Sequence, residues 1–208
     1  MKIENIAPMD IEKRSMEIIS ETLGDKKLDP RYQDIIKRCI HTSADFEYAD
    51  SLYFTDGVEN IIRKAIAEGA YIVTDTTMAQ SGINKKRIHE YGGDVLCFIG
   101  DEDVAKEAKD RGVTRSLVSM ERAAKLDKPV IFAIGNAPTA LLSIESLVKS
   151  GRLDPVAVIA VPVGFVNVVE SKERIIDLNI PAIVARGRKG GSNIAAAIVN
   201  ALQYGIEK

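Results

Sequence analysis

Histidine is the side chain that titrates closest to neutrality, and this chain has two. His41 follows an apolar helix face and precedes Thr42, Ser43 and Asp45, which could fix its tautomer by a hydrogen bond. That setting suits a general acid or base. A helix-terminal histidine with a satisfied hydrogen bond explains the same pattern. His89 lies in a charged segment typical of a solvated helix, and no role is assigned to it.

A second candidate is the segment Arg186–Ser192, called here the basic loop, which combines three basic side chains with a glycine pair before a predicted helix. Such a loop suits a carboxylate or phosphate, because a helix N-terminus offers free N–H groups and guanidinium binds carboxylate through two hydrogen bonds. A solvated basic turn explains it equally well. The spacing of Gly187, Gly190 and Gly191 does not match GxGxxG, and no GxxxxGK occurs, so the usual nucleotide signatures are missing.

Other polar side chains give weaker indications. Arg115 opens a predicted helix, where a cation opposes the helix dipole, so it could hold an anionic ligand. Arg14 lies beside Ser15 in the middle of a helix, and simple solvation explains it. No cluster of His, Cys or acidic residues has metal-ligand spacing, so no protein-bound metal is expected.

The elements that must position these residues follow from hydrophobic patterning. Helical spacing predicts a first helix between Asp10 and Gly24, a second from Pro30, and a third from Asp56-Gly57. Continuous apolar runs then predict buried parallel strands at 71–74, 95–99, 130–134, 156–161 and 182–185. Helical segments alternate with them at 102–111, 115–126, 138–149, 166–178 and 191–204.

This order predicts an α/β fold, with a parallel-rich sheet, helices on both faces and an N-terminal helical portion, as a single domain over 1–208. Ligands of such sheets bind beyond the carboxyl ends of the strands. The loops at those ends are rich in glycine and hydrogen-bond donors, and they cover 75–82, 135–139, 162–167 and 186–193.

Composition excludes several classes of protein. Lys and Arg number 28 against 30 Asp and Glu, and this balance argues against a general nucleic-acid binder. No apolar run is long enough to cross a bilayer, and the N-terminus lacks a stretch of signal-peptide length. Cys39 and Cys97 form no CxxC pair and lie in apolar settings, so buried free thiols and a cytoplasmic location are expected.

Several segments, taken together and in order, resemble the precorrin-8X methylmutase family, called cobalt-precorrin-8 methylmutase in the anaerobic cobalamin route. The resemblance covers almost the whole chain, and no departure is seen at the histidine or the glycine-rich loops. The segments that carry it are 14–16, 40–45, 74–83, 114–116, 135–141, 162–166 and 187–192.

The resemblance implies an isomerase that moves a methyl group from C-11 to C-12 of a corrin precursor, giving hydrogenobyrinic acid or its cobalt form, cobyrinic acid. It implies no external cofactor, any cobalt being carried in the substrate ring. It also implies a homodimer with active sites near the subunit interface. His41 matches the family histidine that protonates a ring nitrogen.

The substrate is a large apolar ring with carboxylates around its edge, and it needs an apolar cleft with several anion sites. From the resemblance and the loop chemistry, the expected substrate-binding residues are Arg14, Ser15, Thr42, Thr76, Gln80, Ser81, Arg115, Asn136, Gly164, Arg186, Arg188, Gly190, Gly191 and Ser192.

Two alternatives stay open. A tetrapyrrole-binding protein of the same fold could carry a corrinoid without turnover. An enzyme of phosphorylated small molecules could use the basic loop on an unrelated α/β sheet.

Overall fold

The computed structural model describes residues 6–206. A short 3-10 turn, Pro8–Asp10, precedes the first helix. The elements that follow are α1 Ile11–Leu23, α2 Gln33–Ser43, α3 Tyr48–Ser51, β1 Leu52–Phe54, α4 Val58–Ala67, β2 Tyr71–Thr74, α5 Thr77–Gly82, α6 Lys85–Glu90, β3 Asp94–Leu96, α7 Glu102–Arg111, α8 Arg115–Ala123, β4 Val130–Ile134, α9 Pro138–Lys149, β5 Ala157–Ala160, α10 Val168–Asp177, β6 Ala182–Ala185 and α11 Ser192–Tyr204.

The strands form one sheet in the order β1-β6-β5-β4-β2-β3. All neighbours are parallel except β1, which pairs antiparallel with β6 and places Tyr53 opposite Val184. The predicted α/β fold with a parallel-rich sheet is therefore confirmed. The antiparallel edge strand was not predicted, because a run of three apolar residues is too short to distinguish a strand from a loop.

Helices cover both faces of the sheet, as predicted. Ile131 and Ala133 of β4 face a core built with α1, α2, α4, α5, α6 and α11. Phe132 and Ile134 face a second core built with α8, α9 and α10. Alternate side chains of one strand thus enter different cores, because successive Cβ atoms point to opposite faces. The N-terminal helices pack on the same domain, so their predicted place is also confirmed.

Some boundaries differ from the predictions. α2 begins at Gln33 rather than Pro30, because the residues between form a turn. The short helix α5 lies in the segment 75–82, which was predicted as a loop, whereas α6 coincides with the solvated helix predicted around His89. Cys39 is buried and its burial raises the pKa of the thiol to about 12. Cys97 is only half-buried, so the expectation of two buried thiols is wrong for that residue.

Among residues 6–206, no helix has the length and apolarity required to cross a bilayer.

Asp75, directly after β2, is a buried carboxylate that joins two loops. Its Oδ1 accepts the N–H of Gly135 at 2.8 Å, and its Oδ2 accepts those of Asn136 at 2.8 Å and Ala137 at 2.6 Å. Asp75 is 2% exposed. Burial raises the pKa of Asp75, and the three N–H donors oppose that shift by stabilising the charged form. The carboxylate holds the β4–α9 loop against the end of β2.

We expect Asp75→Asn to lower the free energy of unfolding by about 3 kcal/mol, since it removes a charged acceptor and leaves buried N–H groups unpaired. Urea denaturation at neutral pH measures the change. The control is Asp101→Asn, which breaks only the partly exposed ion pair with Arg122 and should have a much smaller effect. Equal losses in the two variants would contradict the proposed role of Asp75.

Candidate active site

Loops from separate strands meet at the carboxyl edge of the sheet. The hydroxyls of Thr76 and Ser192 are 2.7 Å apart, which joins the loop after β2 to the start of α11. The N–H of Gly191 donates to the Val161 carbonyl at 2.8 Å. Residues that are up to 116 positions apart in the sequence therefore form one surface.

Two glycines permit this close approach. A Cβ added at Gly135 would lie 2.6 Å from the Cα of Ser192. A Cβ added at Gly190 would lie 2.1 Å from the carbonyl oxygen of Val161. Side chains at either position would push the loops apart, so the site depends on their absence.

His41 occupies the last turn of α2 and opens into a cleft of 570 Å³. We call it the His41 cleft. Its lining comes from α1, α2, the end of α5 and α11, and comprises Glu12, Arg38, His41, Thr42, Gly82, Asn193, Ala196, Ala197, Asn200 and Tyr204.

The imidazole of His41 is exposed and has no hydrogen-bond partner within residues 6–206. Ser43 donates its hydroxyl to the Cys39 carbonyl instead, at 2.7 Å. Asp45 accepts from Lys189 and from the Glu47 N–H. The expected tautomer-fixing hydrogen bond from these neighbours is therefore not formed, and the ring is left available to a ligand.

Several predicted donors lie at or next to this cleft. Thr42 lines it, and Ser81 is exposed beside Gly82, which also lines it. Gln80 adjoins them, but its amide donates to the Val95 carbonyl at 2.9 Å and so holds β3. Asn136 is exposed in the β4–α9 loop, although its backbone N–H is taken by Asp75.

The cations of the basic loop differ in their partners. Arg186 forms two hydrogen bonds to Glu173, at 3.2 and 2.7 Å. Lys189 bridges Asp45 and Glu47 at 2.6 and 2.7 Å, which raises the pKa of Lys189. In the described part of the chain, Arg188 has no carboxylate partner.

The guanidinium of Arg188 lies 5.7 Å from the centre of the exposed Phe165 ring. Gly164, beside that ring, donates its N–H to the Arg188 carbonyl at 3.2 Å. A free cation therefore adjoins an apolar surface at this edge of the sheet, a combination that suits a carboxylate on an apolar body.

Of the fourteen predicted substrate-binding residues, Thr42 lines the His41 cleft and the other thirteen do not. Arg14 pairs with Glu17 and Glu21 along α1. Ser15 donates its hydroxyl to the carbonyl of Ile11, in the same helix. Arg115 is exposed at the N-terminus of α8, beside a separate 360 Å³ cleft between α8 and α9.

Arg38 is a site residue that the sequence reasoning missed. It lies one helical turn before His41, and its guanidinium pairs with Glu12 at 2.7 Å. Arg38 and Tyr204 also line an adjoining cleft of 310 Å³, so they separate the two clefts. The spacing of three residues along a helix was the signal available in the sequence.

No three His, Cys, Asp or Glu side chains are grouped as metal ligands would be in the part of the chain described, 6–206.

We expect Gly135→Ala to lower the free energy of unfolding by about 1–3 kcal/mol, because the added methyl group overlaps Ser192 in a packed region. Gly100→Ala is the matched control, since nothing lies within 4 Å of a Cβ there. Chemical denaturation compares the two. Unfolding midpoints that fall by the same amount would show that the close approach at Gly135 is unimportant.

Comparison with known proteins identifies one family. The family profile named precorrin-8X methylmutase matches residues 10–204. A cobalt-precorrin-8 methylmutase of Priestia megaterium is 44% identical over 197 residues, which are 95% of this chain and 88% of the relative. A cobalt-precorrin-8 methylmutase of Salmonella typhimurium is 43% identical over 209 residues, with 97% of each chain covered.

A solved structure gives the same result for the fold. The crystal structure of a precorrin-8x methyl mutase from Thermus thermophilus superposes with a TM-score of 0.85 at 33% sequence identity. The match covers 94% of this chain and 96% of that protein.

Proposed function

Since this chain belongs to the precorrin-8X methylmutase family, we propose that it moves a methyl group from C-11 to C-12 of its corrin precursor, with His41 as the proton donor to the ring. The family makes it an isomerase of corrin biosynthesis with a tetrapyrrole substrate. The observation that carries the finer proposal is the exposed His41 imidazole at the cleft between α1, α2, α5 and α11, where no side chain or backbone group of residues 6–206 forms a hydrogen bond with it.

In the proposed step, the imidazolium of His41 protonates a ring nitrogen and draws electron density from the conjugated system. The bond from the methyl group to C-11 breaks as the bond to C-12 forms. The ring nitrogen then returns its proton to His41, and the product is hydrogenobyrinic acid or cobyrinic acid. The atoms of substrate and product balance, so the step needs no external cofactor. General acid assistance contributes about 10² to 10⁴ in rate.

Carboxylates around the corrin edge would bind cations and N–H groups of the carboxyl edge. Arg188 has a guanidinium without a carboxylate partner in residues 6–206, and Arg38, which pairs with Glu12, places another guanidinium beside His41. Thr42, Ser81 and Asn136 add neutral hydrogen-bond donors. This distribution supports recognition of a ring with anionic groups on more than one side.

We expect His41→Ala to lose turnover by about 10² to 10⁴-fold while it still binds the corrinoid, because only the acid is removed. Visible absorption after mixing with precorrin-8X follows the reaction, since methyl migration changes the ring conjugation. His89→Ala is the control, because His89 is exposed on α6 and pairs with Asp94 of β3. Unchanged turnover in His41→Ala would exclude His41 as the proton donor.

The same measurement separates the alternatives. A corrinoid carrier would give a static spectral shift without turnover in the wild-type protein. An enzyme of phosphorylated molecules would be protected from thermal unfolding by nucleotides or sugar phosphates and not by corrinoids. Both relatives named above are called cobalt-precorrin-8 methylmutase, so the cobalt form is measured beside the metal-free one.

We expect Arg188→Ala to weaken corrinoid binding about tenfold or more, and Arg186→Ala to weaken it less, because Glu173 already occupies the Arg186 guanidinium. Spectroscopic titration gives both dissociation constants. Arg115→Ala tests whether the cation at the start of α8 also contributes to binding. If Arg188→Ala binds like the wild type, the proposed carboxylate contact is wrong.

A homodimer belongs to the same proposal. Phe165 and Val166 are 81% and 78% exposed at the carboxyl edge of the sheet. Met78, two residues after Thr76 in the chain, is 66% exposed. Large exposed apolar side chains are typical of surfaces that contact a partner or a ligand. The cytoplasmic location is likewise proposed, and the two free cysteines support it.

A further inference from the structure

Lys172 of α10 is a fully buried lysine, with 0% exposure. Its ammonium donates to the carbonyl oxygens of Gly187 at 2.9 Å and Lys189 at 2.8 Å. No carboxylate lies within ion-pair distance of the Lys172 ammonium among residues 6–206. The adjacent Glu173 pairs with Arg186 instead. Burial lowers the pKa of Lys172 to about 8.

A buried ammonium without a counterion is costly, and an apolar side chain of similar volume would fill the same space with less desolvation. The two carbonyl groups are its compensation, and both belong to the basic loop. Fixing that loop is therefore what Lys172 does that an apolar residue could not.

The geometry of the peptide group shows what is fixed. In a trans peptide the C=O and N–H bonds point in opposite directions. Since the carbonyls of Gly187 and Lys189 point to Lys172, the N–H groups of the next residues, Arg188 and Gly190, point away from it. Neither N–H has an acceptor in the described part of the chain.

Both N–H groups point away from Lys172, and Arg188, which carries a guanidinium, lies between the two peptide groups. Backbone donors and a guanidinium that lie close together concentrate positive potential and suit an anion. Arg188 lies between the two residues whose carbonyl oxygens accept from Lys172. It is the cation of this loop that lacks a carboxylate partner in residues 6–206. Its neighbour Lys189 is fixed separately, by Asp45 and Glu47.

We propose that Lys172 is a positioning residue that holds the basic loop with the Arg188 side chain and the N–H groups of Arg188 and Gly190 turned toward a substrate carboxylate. The identification of the anion as a corrin carboxylate rests on the proposed function. The orientation of the loop does not, because it follows from the contacts of Lys172 alone.

Lys172→Met keeps the volume and removes all donors. We expect it to raise the KM for precorrin-8X about tenfold and to leave kcat within about twofold, because a contact at the ring edge is equal in the ground and transition states. Lys172→Arg, which retains charge and donors, should recover part of the affinity. If the Met variant does not fold, Lys172→Gln, with one amide donor group, replaces it.

The matched control is Ile62→Ala, a buried truncation on the opposite face of the sheet from α10. It should lower thermal stability and leave KM unchanged. An unchanged KM in Lys172→Met, or a KM raised equally in Ile62→Ala, overturns the positioning role.

Trypsin cleavage after Arg188 gives a readout that needs no substrate. A released loop in Lys172→Met should be cut several-fold faster than in the wild type or in Ile62→Ala. If the wild-type protein neither binds nor converts precorrin-8X, the proposed function fails, and this assay alone decides the orientation of the loop. Equal cleavage rates in all three proteins would then overturn the role of Lys172.

Discussion

The buried carboxylate of Asp75 is the interaction on which the carboxyl edge of the sheet depends. It gathers three N–H groups from the β4–α9 loop and so fixes Gly135 beside the end of β2. Gly135 in turn leaves room for Ser192, whose hydroxyl meets that of Thr76. The start of α11 is thereby located, and α11 forms one wall of the His41 cleft.

The cleft exists because the facing side chains are small. α2 and α11 pack extensively through Cys39, Ile40 and the apolar side of α11, while Ala196 and Ala197 face the opening. Gly82 approaches Ala196 so closely that a Cβ there would lie 2.9 Å from the alanine methyl group. Larger residues at these positions would close the space beside His41, and the histidine would then lie on a plain surface.

Charge in the basic loop serves placement more than stability. The pairs Arg186–Glu173 and Lys189–Asp45 are exposed, and pairs of that kind contribute little to the free energy of folding. They do fix direction, since Lys189 ties the loop to the segment just after α2 and Arg186 ties it to α10. Arg188 is left between them with its guanidinium free of carboxylates in residues 6–206.

The sequence alone determined the α/β class, the helices on both faces and most of the parallel strands, because a strand buried on both faces must be apolar at every position, as in Val130–Ile134. It also determined that His41 ends a helix and that donor-rich loops follow the strands. The edge strand Leu52–Phe54 was not predicted, because three residues are too short a run to indicate a strand.

Only the tertiary structure decided which of the candidate side chains share a site. Asp75 accepts hydrogen bonds from N–H groups 60 to 62 residues away in the chain. Lys172 donates to carbonyl oxygens 15 and 17 residues away. Tertiary contacts also pair Arg186 with Glu173. The packing of the helices leaves Arg115 outside the lining of the His41 cleft. Local patterns report how a segment packs, whereas hydrogen bonds and ion pairs between remote segments depend on where the whole chain places each side chain.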